Sequence, residues 1–187
     1  MSAPNELFRT PALTFAGDRS FLDSRSGALL ARTVQRNQSR RRMLSAGDVM
    51  DVRDPYGTVL LAIGRIRPGY RVSKRAQVWW PDGRRAGGIR PEGFVHCDFL
   101  LRDPDDAVLG VAERASRGFR ENYRVNDVHG VRVATVVEPL ESVRSMGEKG
   151  ALPSSRWLNV EFQSDVTASL HALVLALPLT IRMRRSW

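Results

Sequence analysis

Five stretches of this chain share one pattern, in which an apolar run is followed by a short polar turn and a second apolar run. The turns end at Gly27, Gly57, Gly83, Asp106 and Gly130, so that successive turns lie 30, 26, 23 and 24 residues apart. A pattern that returns at such intervals indicates one supersecondary unit copied along the chain. The five copies read FLDSRSGALLA, VMDVRDPYGTVLLAI, AQVWWPDGRRAGGI, DFLLRDPDDAVLGVA and YRVNDVHGVRVATV.

The repeated unit is predicted to be a β-hairpin. An Asp at the start of a turn accepts a hydrogen bond from the backbone two residues on, and a Gly at its end adopts a positive φ without steric cost. The flanking runs alternate, as Val131 and Val133 do against Arg132, which is the strand period of two. Asp106 takes the glycine position of one copy, and Asp is among the few residues that enter the left-handed region. Serial hairpins predict a closed or nearly closed antiparallel sheet.

The segment 166–181, VTASLHALVLALPLTI, breaks this alternation. It is apolar on nearly every side and follows Asp165, which is a suitable helix N-cap. A helix that is apolar all round must be surrounded by other elements, so we predict a buried central helix over 165–181 that ends or kinks near Pro178. A membrane span is the alternative, but a span needs about 20 apolar residues, and this run has 16 positions that include His171 and Pro178.

The chain has 187 residues, enough for one sizeable core, and we interpret 1–187 as a single domain. The segment 141–155, ESVRSMGEKGALPSS, is rich in small and charged residues and is predicted to be a flexible loop before the last strand. Cysteine occurs once, as Cys97, so no intrachain disulfide can form and a reducing compartment is expected. Because the first residues lack an apolar run of signal-peptide length, we expect a cytoplasmic protein.

Basic residues outnumber acidic residues by 29 to 20, and the net charge of +9 attracts anions such as nucleic acid, acidic protein or anionic lipid. No acidic residue occurs between Thr58 and Pro81. Of the adjacent tryptophans there, alternation points one inward, and we expect Trp80 to be the outward one, at a membrane interface, on a ligand or on the barrel wall. The candidate anion-binding residues are Arg65, Arg67, Arg71, Lys74, Arg75 and Trp80, with a secondary basic patch at Arg40, Arg41 and Arg42.

Five phrases occur in order along the chain: ELFRTPALTF, DVRDPYGTVLLAIGRIRP, VWWPDGRRAGGI, NYRVNDVHGVRVATV and SLHALVLALPLTI. Their order and spacing resemble the LURP-one-related and phospholipid-scramblase-related proteins of the tubby C-terminal superfamily, in particular the bacterial branch. The resemblance spans nearly the whole chain. It implies a mainly β fold, a tubby-like closed antiparallel barrel of about twelve strands with a buried apolar helix through its centre. In eukaryotic tubby relatives a basic groove on this barrel binds phosphoinositides, and the basic cluster from Arg65 to Arg75 carries over most naturally to that groove.

Two features of the eukaryotic scramblases are missing from the sequence. Those proteins carry a cysteine-rich palmitoylated stretch, whereas this chain has a single Cys. Their calcium-binding segment has no counterpart here beyond the acidic turn around Asp105, which lacks the glycine and the twelfth-position acid of an EF-hand loop. The resemblance therefore gives no support for calcium-triggered lipid flipping.

No catalytic motif is present. The sequence has no Gly-x-Ser-x-Gly elbow, no phosphate-binding glycine loop and no His-Glu-x-x-His pair. The three histidines lack metal-ligand spacing, and His171, within the apolar segment, is expected to be a core histidine with its hydrogen bonds satisfied. We therefore expect a protein that is not an enzyme, with no catalytic residues, no cofactor and no metal.

These observations favour a non-catalytic module that binds anionic phospholipid or a membrane surface through a basic face. Such a protein would be peripheral at the membrane and would have no transmembrane helix. Two alternatives remain open. A nucleic-acid-binding barrel is compatible with the net charge, although no recognition helix or RNA-binding signature is present. A scaffold whose partner is another protein is the second alternative, about which the sequence says least.

Overall fold

Twelve antiparallel strands form a closed barrel in the part of the chain that the structure describes. This computed structural model describes residues 6–17, 19–36, 46–66, 75–92, 98–115, 121–139 and 157–185, with the backbone alone at 46–48, 65–66 and 184–185. The strands are β1 (Ala12–Phe15), β2 (Ser20–Asp23), β3 (Leu29–Gln35), β4 (Ala46–Arg53), β5 (Val59–Ile66), β6 (Ala76–Trp79), β7 (Arg85–Glu92), β8 (Asp98–Arg102), β9 (Val108–Arg114), β10 (Asn122–Asp127), β11 (Arg132–Val137) and β12 (Leu158–Phe162).

Every strand pairs with its neighbours in sequence, and β1 pairs with β12 to close the sheet. The five repeated phrases form the hairpins β2–β3, β4–β5, β6–β7, β8–β9 and β10–β11, as predicted. In the second of these the Asp54 carboxylate accepts hydrogen bonds from the N–H groups of Tyr56 (3.0 Å) and Thr58 (2.8 Å), and Gly57 has φ 89°. Because consecutive strands are antiparallel, all five turns lie at one end of the barrel, which we call the turn end.

The helix α1 (Ala168–Arg185) fills the barrel and packs against β6, β7 and β8. Its side chains over 172–181 are all buried. Each fully buried Leu or Val contributes about 1.5–3 kcal/mol before the entropy of folding is subtracted. At the end opposite the turns, Arg182 donates hydrogen bonds to the carbonyls of Ala16 (2.9 Å) and Gly17 (3.3 Å). The prediction of a buried central helix is confirmed.

The bounds predicted for this helix were wrong at both ends. It begins at Ala168, and Thr167 rather than Asp165 caps it, since the Thr167 Oγ1 accepts from the N–H of Leu170 (3.4 Å) and its carbonyl accepts from that of His171 (2.9 Å). Pro178 does not end the helix, which continues to Arg185. Proline removes one hydrogen bond, and burial of the surrounding apolar side chains outweighs that loss.

The predicted loop 141–155 lies outside the described residues. Among the residues that are described, no helix combines the length and the apolar composition that crossing a membrane requires.

Candidate anion-binding face

The predicted anion-binding set is only partly covered by the structure. Arg75 is exposed directly before β6, and the backbone of Arg65 lies opposite Ala76 in the β5–β6 register. Arg65 thus lies on β5 and Arg75 directly precedes the adjacent β6, and the shared basic face stays a prediction, because only the backbone of Arg65 is described. The remaining basic candidates lie outside the described residues, namely Arg40, Arg41, Arg42, Arg67, Arg71 and Lys74.

The two adjacent tryptophans face opposite sides of the sheet, and the outward one is Trp79 rather than Trp80. Trp80 packs against the hydrophobic core, with its ring centroid 6.1 Å from that of Phe8. Trp79 lies two residues after Gln77 on β6 and therefore faces outward as Gln77 does. Its indole covers Gly64, where an added Cβ would lie 3.1 Å from the ring. The strand enters its turn at this point, so alternation alone did not indicate which Trp points out.

Strand register places Trp79 among charged residues of the outer wall. Residues that lie opposite one another on adjacent strands form rows across the sheet. One such row runs from β3 to β7, and a second runs from β5 to β9. The first row is Val34, Asp51, Ala62, Trp79 and Arg85. The second row is Gly64, Gln77, Gly88, Arg102 and Val108.

Asp51 is a buried carboxylate on this outer wall, and two arginines hold it. Arg36 donates to its Oδ1 through Nε (3.0 Å) and Nη2, and Arg53 donates to its Oδ2 through Nη2 (3.0 Å). The Asp51 side chain is 3% exposed, whereas the side chains of Arg36 and Arg53 are 50% and 41% exposed. A buried charge is tolerated only when it is paired, and here two cations on one anion leave a net positive charge.

A second carboxylate, that of Asp106, faces arginines from neighbouring strands. Its Oδ2 lies 4.0 Å from Nη1 of Arg75, and its Oδ1 lies 3.9 Å from Nη2 of Arg85. Arg102 donates to the backbone carbonyl of Asp106, and Arg85 donates to that of Pro104 (3.0 Å). Both carboxylate distances exceed hydrogen-bond length, so these ion pairs are loose, and three arginines surround a turn that also carries Asp103 and Asp105.

These two clusters and the tryptophan form what we call the arginine face. In the described part of the chain, the Nε atoms of Arg53, Arg85 and Arg102 are buried and have no hydrogen-bond partner. Such donors are uncommon in folded proteins, and here three belong to one surface. The arginine face comprises Arg36, Arg53, Arg75, Arg85, Arg102 and Trp79 together with Asp51 and Asp106.

Most of the arginine face was missed by reasoning from sequence, which singled out Arg75 alone among its arginines. The others are scattered over separate hairpins, and the charge runs in the sequence drew attention to neighbouring segments instead. The signal that identifies them is the alternation of inward and outward side chains along each strand. Arg53, Arg85 and Arg102 each occupy an outward position in this alternation, where the flanking Val52, Ala86 and Leu101 are buried.

Inside the barrel, at the end opposite the turns, lies a buried polar cluster. The Tyr123 hydroxyl donates to Oε2 of Glu121 (2.7 Å), which lies 3.9 Å from Nη2 of Arg114. The Glu121 N–H donates to Oε2 of Glu138 (3.1 Å). Burying a charge in this way requires pairing and hydrogen bonds, and Oε2 of Glu121 has both, so we interpret the cluster as a structural network beneath the barrel wall.

The histidines do not assemble into a site. His129 is exposed in a turn, and His96 lies outside the described residues. His171 packs between Phe8 and Phe162, with centroid distances of 5.7 and 4.1 Å, and lines an open cleft of about 610 Å³. Its Nε2 is buried without a partner in the described chain, which contradicts the expectation of satisfied hydrogen bonds, and burial lowers its pKa to about 4. No three His, Cys, Asp or Glu residues among those described are placed to hold a metal.

Comparisons with protein-family models, with curated proteins and with solved structures returned no match for this chain. The barrel and its central helix are therefore established by the structure itself. The scramblase-related resemblance stays a prediction from the sequence.

Proposed function

We propose that this protein is a non-catalytic module that binds anionic phospholipid at a membrane surface through the arginine face. The observation that carries the proposal is the placement of five arginines beside Trp79 on one outer wall, where Asp51 and Asp106 form ion pairs with four of them. Guanidinium groups bind phosphate oxygens through paired N–H donors. An indole that is half-buried on a wall is suited to the boundary between headgroups and acyl chains.

The resemblance to the tubby and scramblase-related superfamily supports the same ligand class. Its eukaryotic tubby members bind phosphoinositides through a basic groove on the barrel. A cytoplasmic protein with this face would bind membranes reversibly, because each Arg near an anionic surface contributes about 1 kcal/mol. Further arginines lie outside the described ranges, and the net charge of the whole chain is +9.

Vesicle co-sedimentation tests the proposal. We expect binding to vesicles that contain phosphatidylglycerol, weaker binding to pure phosphatidylcholine, and a decrease as salt screens the charges. The double variant Arg75→Gln/Arg85→Gln should weaken binding by about tenfold or more. The control Arg124→Gln/Arg132→Gln removes the same charge from exposed positions on β10 and β11 and should have a smaller effect.

Two results would reject a lipid-binding arginine face. One is equal binding to anionic and neutral vesicles. The other is an equal loss of affinity in the two double variants, which would show that total charge alone matters. Salt-sensitive retention of single-stranded DNA without vesicle binding would assign the basic surface to nucleic acid instead.

A further inference from the structure

The β8–β9 turn contains a residue that its backbone conformation disfavours. The other four repeated turns end in glycine, with φ between 71° and 89°. Asp106 takes the same position with φ 71°, and its N–H donates to the carbonyl of Asp103 (3.2 Å), as those of Gly57 and Gly130 do in their own turns. A non-glycine residue at positive φ is uncommon, even though Asp adopts this conformation more readily than most residues, and such a residue is grounds for seeking a function.

The requirements of the turn do not explain an Asp at this position. At the four equivalent glycines, a Cβ would meet nothing within 4 Å, so a side chain there points into open space and stabilises no packing. What distinguishes Asp106 is its position on the arginine face. Its carboxylate is 50% exposed and lies 4.0 Å from Arg75 and 3.9 Å from Arg85, two of the guanidinium groups to which the proposed function assigns the lipid phosphate.

We propose that Asp106 is an internal counterion that competes with the anionic lipid for Arg75 and Arg85. This inference rests on the proposed function and adds a regulating residue to it. Exposed ion pairs are weak, so a membrane phosphate can displace the carboxylate. Because Asp106 is tethered beside the arginines, its effective concentration is high, and only a surface dense in anions displaces it. Asp106 thereby sets the anionic charge density at which the protein binds.

The experiment compares Asp106→Asn, Asp106→Gly and Asp105→Asn in phosphatidylglycerol vesicle titrations and in thermal unfolding. Asn removes the charge and still tolerates the left-handed conformation, whereas Gly also removes the strain. Asp105 is exposed in the same turn and makes no ion pair within the described residues, so its variant controls for the change in net charge. We expect both Asp106 variants to bind about two- to fivefold more tightly than Asp105→Asn, and Asp106→Gly to unfold at a higher temperature than the wild-type protein.

Three other outcomes of these titrations would each overturn the competition between Asp106 and the lipid. If the wild-type protein binds anionic vesicles and Asp106→Asn binds no more tightly than Asp105→Asn, the competition is disproved while the proposed function stands. If Asp106→Asn and Asp106→Gly bind more weakly than the wild-type protein, Asp106 positions the arginines instead of competing with the lipid. If the wild-type protein and all variants bind phosphatidylglycerol and phosphatidylcholine vesicles equally, the proposed function and this inference both fail.

Discussion

His171 occupies an environment that favours its neutral form. Its ring lies between those of Phe8 and Phe162, and loss of hydration on burial lowers its pKa from 6.5 to about 4. The charged side chains that line the same cleft among the described residues are Arg9 and Asp165. As the pH falls, the unfolded chain therefore takes up a proton at this position before the folded protein does.

The stability of the protein should consequently decrease as the pH falls from 6.5 toward 4. In that window the titration of His171 changes the free energy of unfolding by at most about 1.4 kcal/mol per pH unit. Above pH 6.5 the imidazole is neutral in both the folded and the unfolded state, so this loss of stability is absent. The variant His171→Phe keeps an aromatic ring between its neighbours and should flatten this part of the pH profile in urea denaturation. His129→Phe, at an exposed turn position, should retain the wild-type slope. An unchanged slope for His171→Phe would contradict the assignment.

At the scale of elements, the close approach of the helix to the sheet depends on Gly87. This residue has φ 151°, and a Cβ would overlap the carbonyl oxygen of Arg102 on β8 and lie 3.1 Å from Cδ1 of Leu173 on α1. Neither neighbour can move readily, because Arg102 is held in the β7–β8 ladder and Leu173 is fully buried. The backbone of β7 therefore contacts the central helix where no side chain would fit.

We expect Gly87→Ala to lower the free energy of unfolding by about 1–3 kcal/mol or more, through strain and overpacking. The adjacent Gly88→Ala is the matched control. A Cβ there points to the outer wall, meets its nearest atoms at 3.5 Å and requires no positive φ, so its effect should stay within about 0.5 kcal/mol. Urea denaturation of both variants measures the difference, and equal destabilisation would rule out a special role for the first glycine.

At the scale of the whole molecule, closure of the barrel joins residues from both ends of the sequence. Leu13 on β1 lies opposite Val160 on β12, and the Thr14 hydroxyl donates to Oδ1 of Asn159 (3.1 Å). A barrel of twelve strands encloses more space than its own inward side chains fill. The helix α1 supplies the missing volume, so sheet and helix depend on each other.

A chain that ends after Ser164 should therefore fail to fold, although it retains all twelve strands. Without α1 the inward faces of the strands lose their apolar partner, and each exposed side chain forfeits about 1.5–3 kcal/mol. We expect loss of near-ultraviolet circular dichroism and of cooperative unfolding. A chain that ends after Arg185 keeps the helix and should behave like the chain of 187 residues. Cooperative unfolding of the shorter chain would show that the sheet is stable by itself.

The sequence by itself determined the elements whose causes are local. Turn chemistry at Asp54 and Gly57 depends on neighbouring residues only, and the strand period is visible within a few positions. The apolar run over 166–181 required burial on every side, so a helix enclosed by serial hairpins followed from composition and order. These features needed no knowledge of which residues meet across the fold.

Only the tertiary structure decided the helix bounds, the outward tryptophan and the arginine face. Burial carries the helix through Pro178, although proline is unfavourable there in isolation. Arg53, Arg85 and Arg102 belong to three separate hairpins, and it is strand register that brings them onto one wall around Trp79. Register depends on pairing between strands and on the bulges within them, which is a non-local property, whereas the repeated turns are a local one.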